Sequence, residues 1–258
     1  MKRPAAPRTV LLTGATGGIG YALAAEYAEP GVTLILQGRR SERLAELAAL
    51  CRSRGARVLT RVVDVRNRLE FTEWLHGICQ QEQVELVIVN AGVNTNIGPE
   101  GAGERWPEVQ ALIEVNVLAA MATVDAVLPS LRAKGAGQIV LMSSLAAYFG
   151  LPVTPSYSAS KAALKAYGEA LRGWLAPEGI RVNVVMPGYV ESPMCRDMPG
   201  PKPFLWPADK AARLIRRRLA RNQARIGFPF LLHLGTWWLS VLPPAISQRI
   251  LQLLHYGG

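Results

Sequence analysis

The chain has 258 residues, a common size for one α/β domain and long enough to bury a substantial core. Half of the residues are apolar and 19% are charged, which excludes a disordered chain, and three cysteines without metal-ligand spacing predict free thiols in a reducing compartment. The net charge of +10 is concentrated between Lys202 and Arg225, where eight basic residues accompany one acid, Asp209.

Short apolar runs alternate with longer helical patterns along the chain. Several of the runs are nearly continuous in Val, Ile and Leu, as expected for parallel strands that are covered on both faces. The predicted strands are residues 9–13, 32–37, 57–63, 86–90, 138–143, 181–186 and 225–228. The predicted helices are residues 20–29, 41–54, 69–81, 106–134, 157–177 and 207–222. This alternation predicts an α/β fold, a Rossmann-type doubly wound parallel sheet of about seven strands with helices on both faces, in a single domain over residues 1–258.

The first predicted strand is followed by T-G-A-T-G-G-I-G, from Thr13 to Gly20, which leads into the first predicted helix. Ligands of parallel sheets bind at the carboxyl ends of the strands. Glycines at such a position let the backbone turn tightly and approach a pyrophosphate, while the helix N-terminus supplies free N–H groups. A structural glycine turn is the alternative, but the βαβ context favours a dinucleotide site. Its predicted contacts are Gly14, Thr16, Gly18, Ile19 and Gly20.

The second predicted strand ends in Gln37, Gly38, Arg39 and Arg40, with no acidic residue to accept hydrogen bonds from the ribose hydroxyls of NAD. Arginine suits a 2′-phosphate because its planar fork donates two hydrogen bonds at once. We therefore predict NADP, with Arg39 as the main contact and Arg40 as a helper. The alternative is that both are solvated arginines at a helix start. The ends of the next two strands predict further cofactor contacts, at Asp64, Val65, Asn90, Ala91 and Gly92.

The fifth predicted strand ends in Ser143 and Ser144, and Tyr157 and Lys161 follow four residues apart. On a helix this spacing puts the phenol and the ammonium group on one face. A free phenol has a pKa near ~10, and a nearby ammonium group is expected to lower it towards the working pH of an acid–base catalyst. A serine hydroxyl there can stabilise charge that develops on a substrate oxygen. The alternatives are an idle surface pair for Tyr157 and Lys161, and Ser143 as the active hydroxyl.

Together with T-G-A-T-G-G-I-G, N-A-G and P-G, these residues resemble the short-chain dehydrogenase/reductase family over about residues 9–194. The resemblance implies an NADP-preferring short form that transfers hydride between the cofactor and a CH–OH or carbonyl group. It implies four catalytic residues, Asn116, Ser144, Tyr157 and Lys161, of which the last two also contact the cofactor. It implies further cofactor contacts at Pro187, Gly188, Val190 and Ser192, where the family often has threonine at the last position. The alternative for Asn116 is a structural role at a bend of the helix.

The residues expected to wall the substrate cleft are mostly apolar and include no obvious carboxylate clamp. They are Leu145, Tyr148, Phe149, Leu151, Pro152, Tyr189, Met194 and residues 198–206 of a substrate loop over 192–206. This favours reduction of an apolar or acyl-type ketone, or oxidation of the matching alcohol. A 3-oxoacyl-(carrier protein) reductase, with a basic patch at Arg196, Lys202 and Lys210, is one alternative. A catalytically idle NADP-sensing protein is an alternative of another class, although a sensor has no use for a proton donor.

The chain ends in an apolar extension over residues 226–258. From Ile226 to Gln248 it contains no Asp, Glu, Lys or Arg, and prolines limit its longest apolar piece to residues 230–242, short of the ~20 residues that span a bilayer. Two short helices, residues 230–242 and 245–255, are predicted instead. They could pack on their own domain or at a subunit interface, or they could form a peripheral membrane contact through residues 202–255.

The remaining expectations concern partners and location. The resemblance implies a homodimer or homotetramer that packs through the long helices 106–134 and 157–177. Nucleic acid is not expected as a partner, because the basic run has no interleaved aromatic residues. The apolar run at residues 10–12 is far too short for the core of a signal peptide. We therefore expect a cytoplasmic enzyme, with membrane association as an open alternative.

Overall fold

The computed structural model describes residues 6–98, 101–198 and 200–254. Its strands are β1 Thr9–Leu12, β2 Thr33–Gly38, β3 Arg57–Val62, β4 Leu86–Val89, β5 Gly137–Met142, β6 Ile180–Pro187 and β7 Arg225–Phe228. Its helices are α1 Gly18–Tyr27, α2 Ser41–Ser53, α3 Arg68–Gln81, α4 Trp106–Ile113, α5 Ala119–Lys134, α6 Pro155–Leu175, α7 Pro193–Arg196, α8 Ala208–Leu219, α9 Phe230–Val241 and α10 Pro244–Leu253. Every predicted strand and helix is present, and the short helix α7 was not predicted.

All seven strands pair in parallel, in the order β3-β2-β1-β4-β5-β6-β7. At the centre, Leu11 of β1 lies opposite Ile35 of β2 on one side and Val87 of β4 on the other. The strand order reverses between β1 and β4, so the loops that follow these two strands diverge and leave a crevice at the carboxyl edge of the sheet. The predicted doubly wound, seven-stranded parallel sheet is confirmed.

Helices cover both faces of the sheet. Successive side chains of a strand point to opposite faces, so the sheet separates two buried apolar clusters. Leu12 and Leu34 pack with α1, α2 and α8 on one face. Leu11 and Ile35 pack with α3, α5 and α6 on the other. Because both faces are covered, the strands need apolar side chains at nearly every position, which explains the continuous apolar runs in the sequence.

The predicted helix over residues 106–134 is continuous but not uniform. Between α4 and α5, Glu114–Leu118 forms a π-helical turn, a widened turn that is frequent at functional sites. Among the described residues, Trp106–Lys134 is the one helix that is long and apolar enough to cross a membrane. However, 61% of its apolar window is buried inside the protein, where α5 packs on α3 and the π turn packs on α6. Its apolar composition is therefore that of a core helix.

The two tail helices lie at the carboxyl edge of the sheet. Helix α9 follows β7 and contacts both β7 and the short 3-10 turn Leu145–Ala147 after β5, while α10 packs on α9. The predicted end of the second tail helix, His255, lies outside the described residues. So does Pro199 in the predicted substrate loop, whose end is tied to the sheet by a bridge between Val190 and Trp206.

Candidate active site

A cavity of about 830 Å³ opens at the carboxyl edge of the sheet. Its lining runs from the glycine loop after β1, past α6, to the tail helices. Most of the predicted site residues line it, namely Gly14, Thr16, Gly18, Ile19, Gly20, Arg39, Arg40, Val65, Asn90, Ala91, Gly92, Ser144, Leu145, Tyr157, Lys161, Pro187, Gly188, Tyr189, Val190, Ser192 and Met194. The predicted site residues that are not part of its lining include Asp64, Asn116, Tyr148, Phe149 and Pro152.

The glycine loop packs closely against its neighbours. Gly14 has a φ of +65°, and a Cβ there would lie 2.7 Å from the Cα atom of Ala91. A Cβ on Gly18 would lie 2.6 Å from the Cβ atom of Ser192. Both positions therefore require glycine, the first for its backbone conformation and both for space. Helix α1 begins here with no acid in its first turn and no side-chain cap, so its free N–H groups are suited to an anion.

Gln37 holds this loop in place, a role that we did not predict. It is buried at the end of β2, and its Oε1 atom accepts a hydrogen bond of 2.9 Å from the backbone N–H of Gly14. Its Nε2 atom donates to the carbonyl of Val63, 2.6 Å away and directly after the neighbouring strand β3. The sequence signal for this role was a single polar side chain at the end of an otherwise apolar strand. Gln37 thus joins three strand ends at the point where a dinucleotide is expected.

The two predicted arginines occupy different settings. Arg40 donates a hydrogen bond to the carbonyl of Thr16 in the glycine loop. The Arg39 side chain is 53% exposed, and its Nη1 atom lies 3.7 Å from Asp64, whose carboxylate also accepts a 2.8 Å hydrogen bond from Arg66. Hydrogen bonding to Arg66 holds the pKa of Asp64 below its usual value. Arg39 and Arg40 are both exposed and line the cavity, as does Val65, whereas Asp64 turns its carboxylate to Arg39 and Arg66.

Tyr157 and Lys161 lie one turn apart on α6, as predicted from their spacing. The Nζ atom of Lys161 is 5.5 Å from the centre of the Tyr157 ring and donates a 2.9 Å hydrogen bond to the carbonyl of Met142. Ser144 lies beside the Tyr157 hydroxyl and opposes the rise of its pKa, while the Ser144 hydroxyl donates to the carbonyl of Pro187 at 3.4 Å and accepts from the N–H of Ala146 at 3.2 Å. Ser143 is buried, and its hydroxyl donates a 2.7 Å hydrogen bond to the main-chain carbonyl of Lys161. The geometry thus pairs the phenol with Ser144 and uses Ser143 to join β5 to α6.

Burial controls the protonation of this pair. It raises the pKa of Tyr157 to about 12, and the hydrogen bond to Ser144 only partly opposes this. It lowers the pKa of Lys161 to about 8. The lowering of the phenol's pKa that was predicted from the ammonium group does not appear in this structure, because burial raises the pKa and Lys161 is not among the groups that shift it. At neutral pH the phenol keeps its proton and is a donor.

Asn116 lies in the π turn, fully buried behind the cavity wall. Its Nδ2 atom donates to the carbonyl of Val93 and to the hydroxyl of Ser160, both at 3.0 Å, and its Oδ1 atom accepts from the N–H of Val93 at 2.8 Å. A Cβ on Gly92 would be 3.3 Å from this Oδ1 atom and 3.5 Å from Nζ of Lys161. Asn116 therefore fastens the loop after β4 to α6, directly beside the lysine.

The far end of the cavity is apolar and is built mainly by the tail. Leu145, Leu151, Met194, Met198 and Phe204, which were predicted, line it together with a set of tail residues that was not assigned to the site. This set is Leu231, Leu232, Gly235, Thr236, Leu239, Ile250, Leu251 and Leu254. The sequence signal for this wall was the uncharged run that begins at Ile226, because the helix face that lines an apolar cavity cannot carry charged side chains.

The prediction that Tyr148 walls the substrate cleft is wrong. The side chain borders a separate shallow depression, as do the equally predicted Phe149 and Pro152. Its hydroxyl lies 2.8 Å from Nε2 of His233 on α9, and the two rings stack with their centres 5.5 Å apart. Tyr148 thus fastens α9 to the turn after β5. The partner lies 85 residues away in the sequence, so spacing could not reveal the contact.

The chain is similar to known proteins along most of its length. The family model "short chain dehydrogenase" matches residues 8–201. An uncharacterized oxidoreductase of Myxococcus xanthus is 35% identical over 237 residues, which cover 92% of this chain and 93% of the relative. The ketoacyl reductase HetN of a Nostoc species is 35% identical over 188 residues, which cover 71% of this chain and 63% of that protein.

A solved structure has the same fold throughout. The short-chain dehydrogenase of Burkholderia cenocepacia J2315 in complex with NADP aligns with a TM-score of 0.78 at 26% identity, covering 97% of this chain and 99% of that one. With the parallel sheet and the family match, this chain belongs to the short-chain dehydrogenase/reductase family. It is an oxidoreductase, and the family predicted from its motifs is confirmed.

Proposed function

We propose that this oxidoreductase uses NADP(H) to reduce a ketone on an apolar or acyl-type substrate, or to oxidise the corresponding secondary alcohol. One observation carries the proposal: a single cavity is lined by the glycine loop, by the neighbouring residues Ser144 and Tyr157 with their hydroxyl groups, and by an apolar wall. A dinucleotide fits the first part, proton transfer needs the second, and an apolar substrate fits the third.

The residues of the glycine loop fit a dinucleotide phosphate. Gly14 and Gly18 leave a cradle that a Cβ would fill, and the uncapped start of α1 directs N–H groups towards it. Arg39 and Arg40 would hold a 2′-phosphate, and the likeness to an NADP-bound dehydrogenase supports this choice over NAD. When bound, the nicotinamide supplies or accepts the hydride. Asp64, Asn90, Pro187, Gly188, Val190 and Ser192 are proposed to complete the cofactor site.

The catalytic roles follow from the hydrogen bonds. During reduction, Tyr157 donates its proton to the carbonyl oxygen while Ser144 hydrogen-bonds the same oxygen and stabilises its developing charge. Lys161, held by the carbonyl of Met142, stabilises the phenolate that remains. Asn116 acts as a positioning residue, because it fixes the loop after β4 and the start of α6 relative to each other.

A 3-oxoacyl-(carrier protein) reductase is the second candidate, favoured by the likeness to a ketoacyl reductase. An acidic carrier would need basic side chains near the cleft, and the candidates are Arg196, Lys202 and Lys210. Lys202 donates a 2.9 Å hydrogen bond to the carbonyl of Met198, which lines the cavity. Alanine variants of these three residues that lose turnover of a carrier-bound ketone, but not of a free ketone, would favour this candidate.

The proposal includes a homodimer or homotetramer that packs through α4–α5 and α6. Exposed apolar side chains on these helices support it, with Leu118 at 45% and Trp174 at 58% exposure. The cytoplasm is the proposed location.

The test of the proposed function is a panel of ketones and alcohols assayed by nicotinamide absorbance, with NADPH and NADH in parallel. We expect turnover of apolar ketones and a preference for NADPH. A preference for NADH would contradict the role of Arg39. Cofactor binding without turnover of any ketone or alcohol would favour a cofactor-sensing protein.

A further inference from the structure

The outer side of the tail helices is unusually apolar for an exposed surface. We define the tail surface as the exposed side chains of Phe230, Leu234, Trp237, Trp238, Val241 and Leu253 on α9 and α10. Each is between 39% and 78% exposed. Contiguous exposed apolar side chains of this number mark an interaction site rather than ordinary protein surface. The described residues leave this surface without a partner.

The tail itself carries formal charge of one sign only. After Arg225 the sequence contains no Asp, Glu or Lys and a single arginine, Arg249. Arg249 lies on the exposed face of α10, three residues after Ile246 and four before Leu253, and no described residue forms an ion pair with it. An arginine between exposed apolar side chains keeps its stem among them and reaches an anion with its guanidinium group.

The apolar end of the cavity opens within this region. Phe204, Leu231 and Leu254 line the cavity and are also 53%, 63% and 55% exposed. They therefore form its rim. An apolar substrate that enters here passes from the tail surface to the cavity along apolar side chains. Lys202, two residues before Phe204, adds a cation beside the rim.

We propose that the tail surface docks on an anionic phospholipid bilayer, so that the mouth of the cavity faces the acyl region and the substrate enters from the lipid. Paired tryptophans and leucines suit the interface between headgroups and chains, and Arg249 suits a lipid phosphate. A second copy of the chain fits less well, because it would cover the mouth and bring two Arg249 residues together without a carboxylate. The entry of substrate from lipid rests on the proposed function, whereas the docking does not.

The test is flotation of the purified protein with phosphatidylcholine vesicles that contain phosphatidylglycerol. We expect the protein to float, and the double variant Trp237→Glu/Trp238→Glu to lower the partition coefficient at least about tenfold, since two buried aromatic side chains are lost from the interface. Leu69→Glu is the control, because Leu69 is 72% exposed on α3, outside both the tail surface and the helices proposed to pack between copies, and it should float like the parent chain. Protein that stays at the bottom, or a double variant that floats as well as the control, overturns the proposal.

Two further measurements keep the interpretation unambiguous. Size-exclusion chromatography without lipid should give the same mass for the parent chain and the double variant. A mass that falls only in the double variant would assign the tail surface to a contact between copies and overturn the proposal. Turnover of a small, water-soluble ketone should change less than about twofold in the double variant, because neither tryptophan lines the cavity. If the parent chain turns over no ketone at all, the proposed function fails while the flotation result stands.

Discussion

The two ends of the cavity are built in different ways. At the cofactor end, polar side chains link loops that are far apart in the sequence: Asn90 donates to the carbonyls of Thr13 and Gly14 at 3.1 and 3.0 Å, and Gln37 accepts from the N–H of Gly14. At the tail end, by contrast, the Thr236 hydroxyl donates a hydrogen bond to the carbonyl of Leu232 within the same helix. The first end can recognise one ligand by geometry, whereas the second excludes water and can accept many apolar shapes.

The largest expected effect comes from the group that lies between the two ends. Replacing Tyr157 with Phe removes the proton donor but leaves the ring, so we expect kcat for ketone reduction to fall about a thousandfold with little change in NADPH affinity. Steady-state kinetics and NADPH fluorescence titration measure these two quantities. Tyr167→Phe, on the same helix but outside the cavity lining, is the control and should keep the parent rate. A native rate in the Tyr157 variant would show that the proposed mechanism is wrong.

Lys161 should make the protein less stable at neutral pH. Burial lowers its pKa from 10.5 to about 8, so folding disfavours the charged form by roughly 3 kcal/mol below pH 8, and this cost vanishes as the pH rises through about 10.5. Lys161→Met also loses the hydrogen bond to Met142, worth about 1 kcal/mol. The free energy of unfolding should therefore rise by about 2 kcal/mol at pH 7, with turnover lost.

Urea unfolding at pH 7 and pH 10 measures the difference in the free energy of unfolding between Lys161→Met and the parent chain. This difference should shrink or reverse at the higher pH. Lys165→Met is the control on the same helix, where the lysine is paired with Glu169 at 3.1 Å. A lower stability of the Lys161 variant at pH 7 would mean that the hydrogen bond to Met142 outweighs the cost of burying the charge.

At the cofactor end, Arg39 should distinguish the two dinucleotides. Arg39→Ala removes a charge-assisted contact worth about 1.5–3 kcal/mol, so KM for NADPH should rise between about tenfold and a hundredfold while KM for NADH stays unchanged. Arg68→Ala, an exposed arginine at the start of α3, controls for the loss of positive charge. An equal change for both dinucleotides would remove the argument for a 2′-phosphate site.

At the tail end, Gly235 should set the length of the substrate. It lines the cavity, and a Cβ there meets no atom within 4 Å. Gly235→Leu should therefore fold and raise KM for a long-chain ketone about tenfold, while KM for a small ketone and for NADPH stay unchanged. Gly77→Leu, at an equally open position on α3, is the control. Parallel changes for long and short ketones would show that the substrate does not reach α9.

The sequence predicted the cofactor end better than the tail end for a physical reason. Glycines of the first loop, Arg39 and Asn90 directly follow strands, and the carboxyl ends of parallel strands share one edge, so local patterns place them together. Tyr148 depends on a contact with α9, and the π turn around Asn116 interrupts a helix whose apolar pattern is unbroken. Such features arise from packing between distant segments, which spacing does not report.

The smallest expected effect lies where the tail is fastened to the domain. Tyr148→Phe removes the hydroxyl, which bonds His233 at 2.8 Å and accepts a weaker hydrogen bond from Arg225 at 3.4 Å, but it keeps the stacked ring. The free energy of unfolding should therefore fall by only about 1 kcal/mol. KM for NADPH should not change, since neither residue lines the cavity. Thermal unfolding and hydrogen exchange of α9 measure the effect against Tyr167→Phe. If KM for a long-chain ketone rises tenfold as well, the apolar wall depends on this one contact, and the tail is a movable side of the cavity rather than a fixed one.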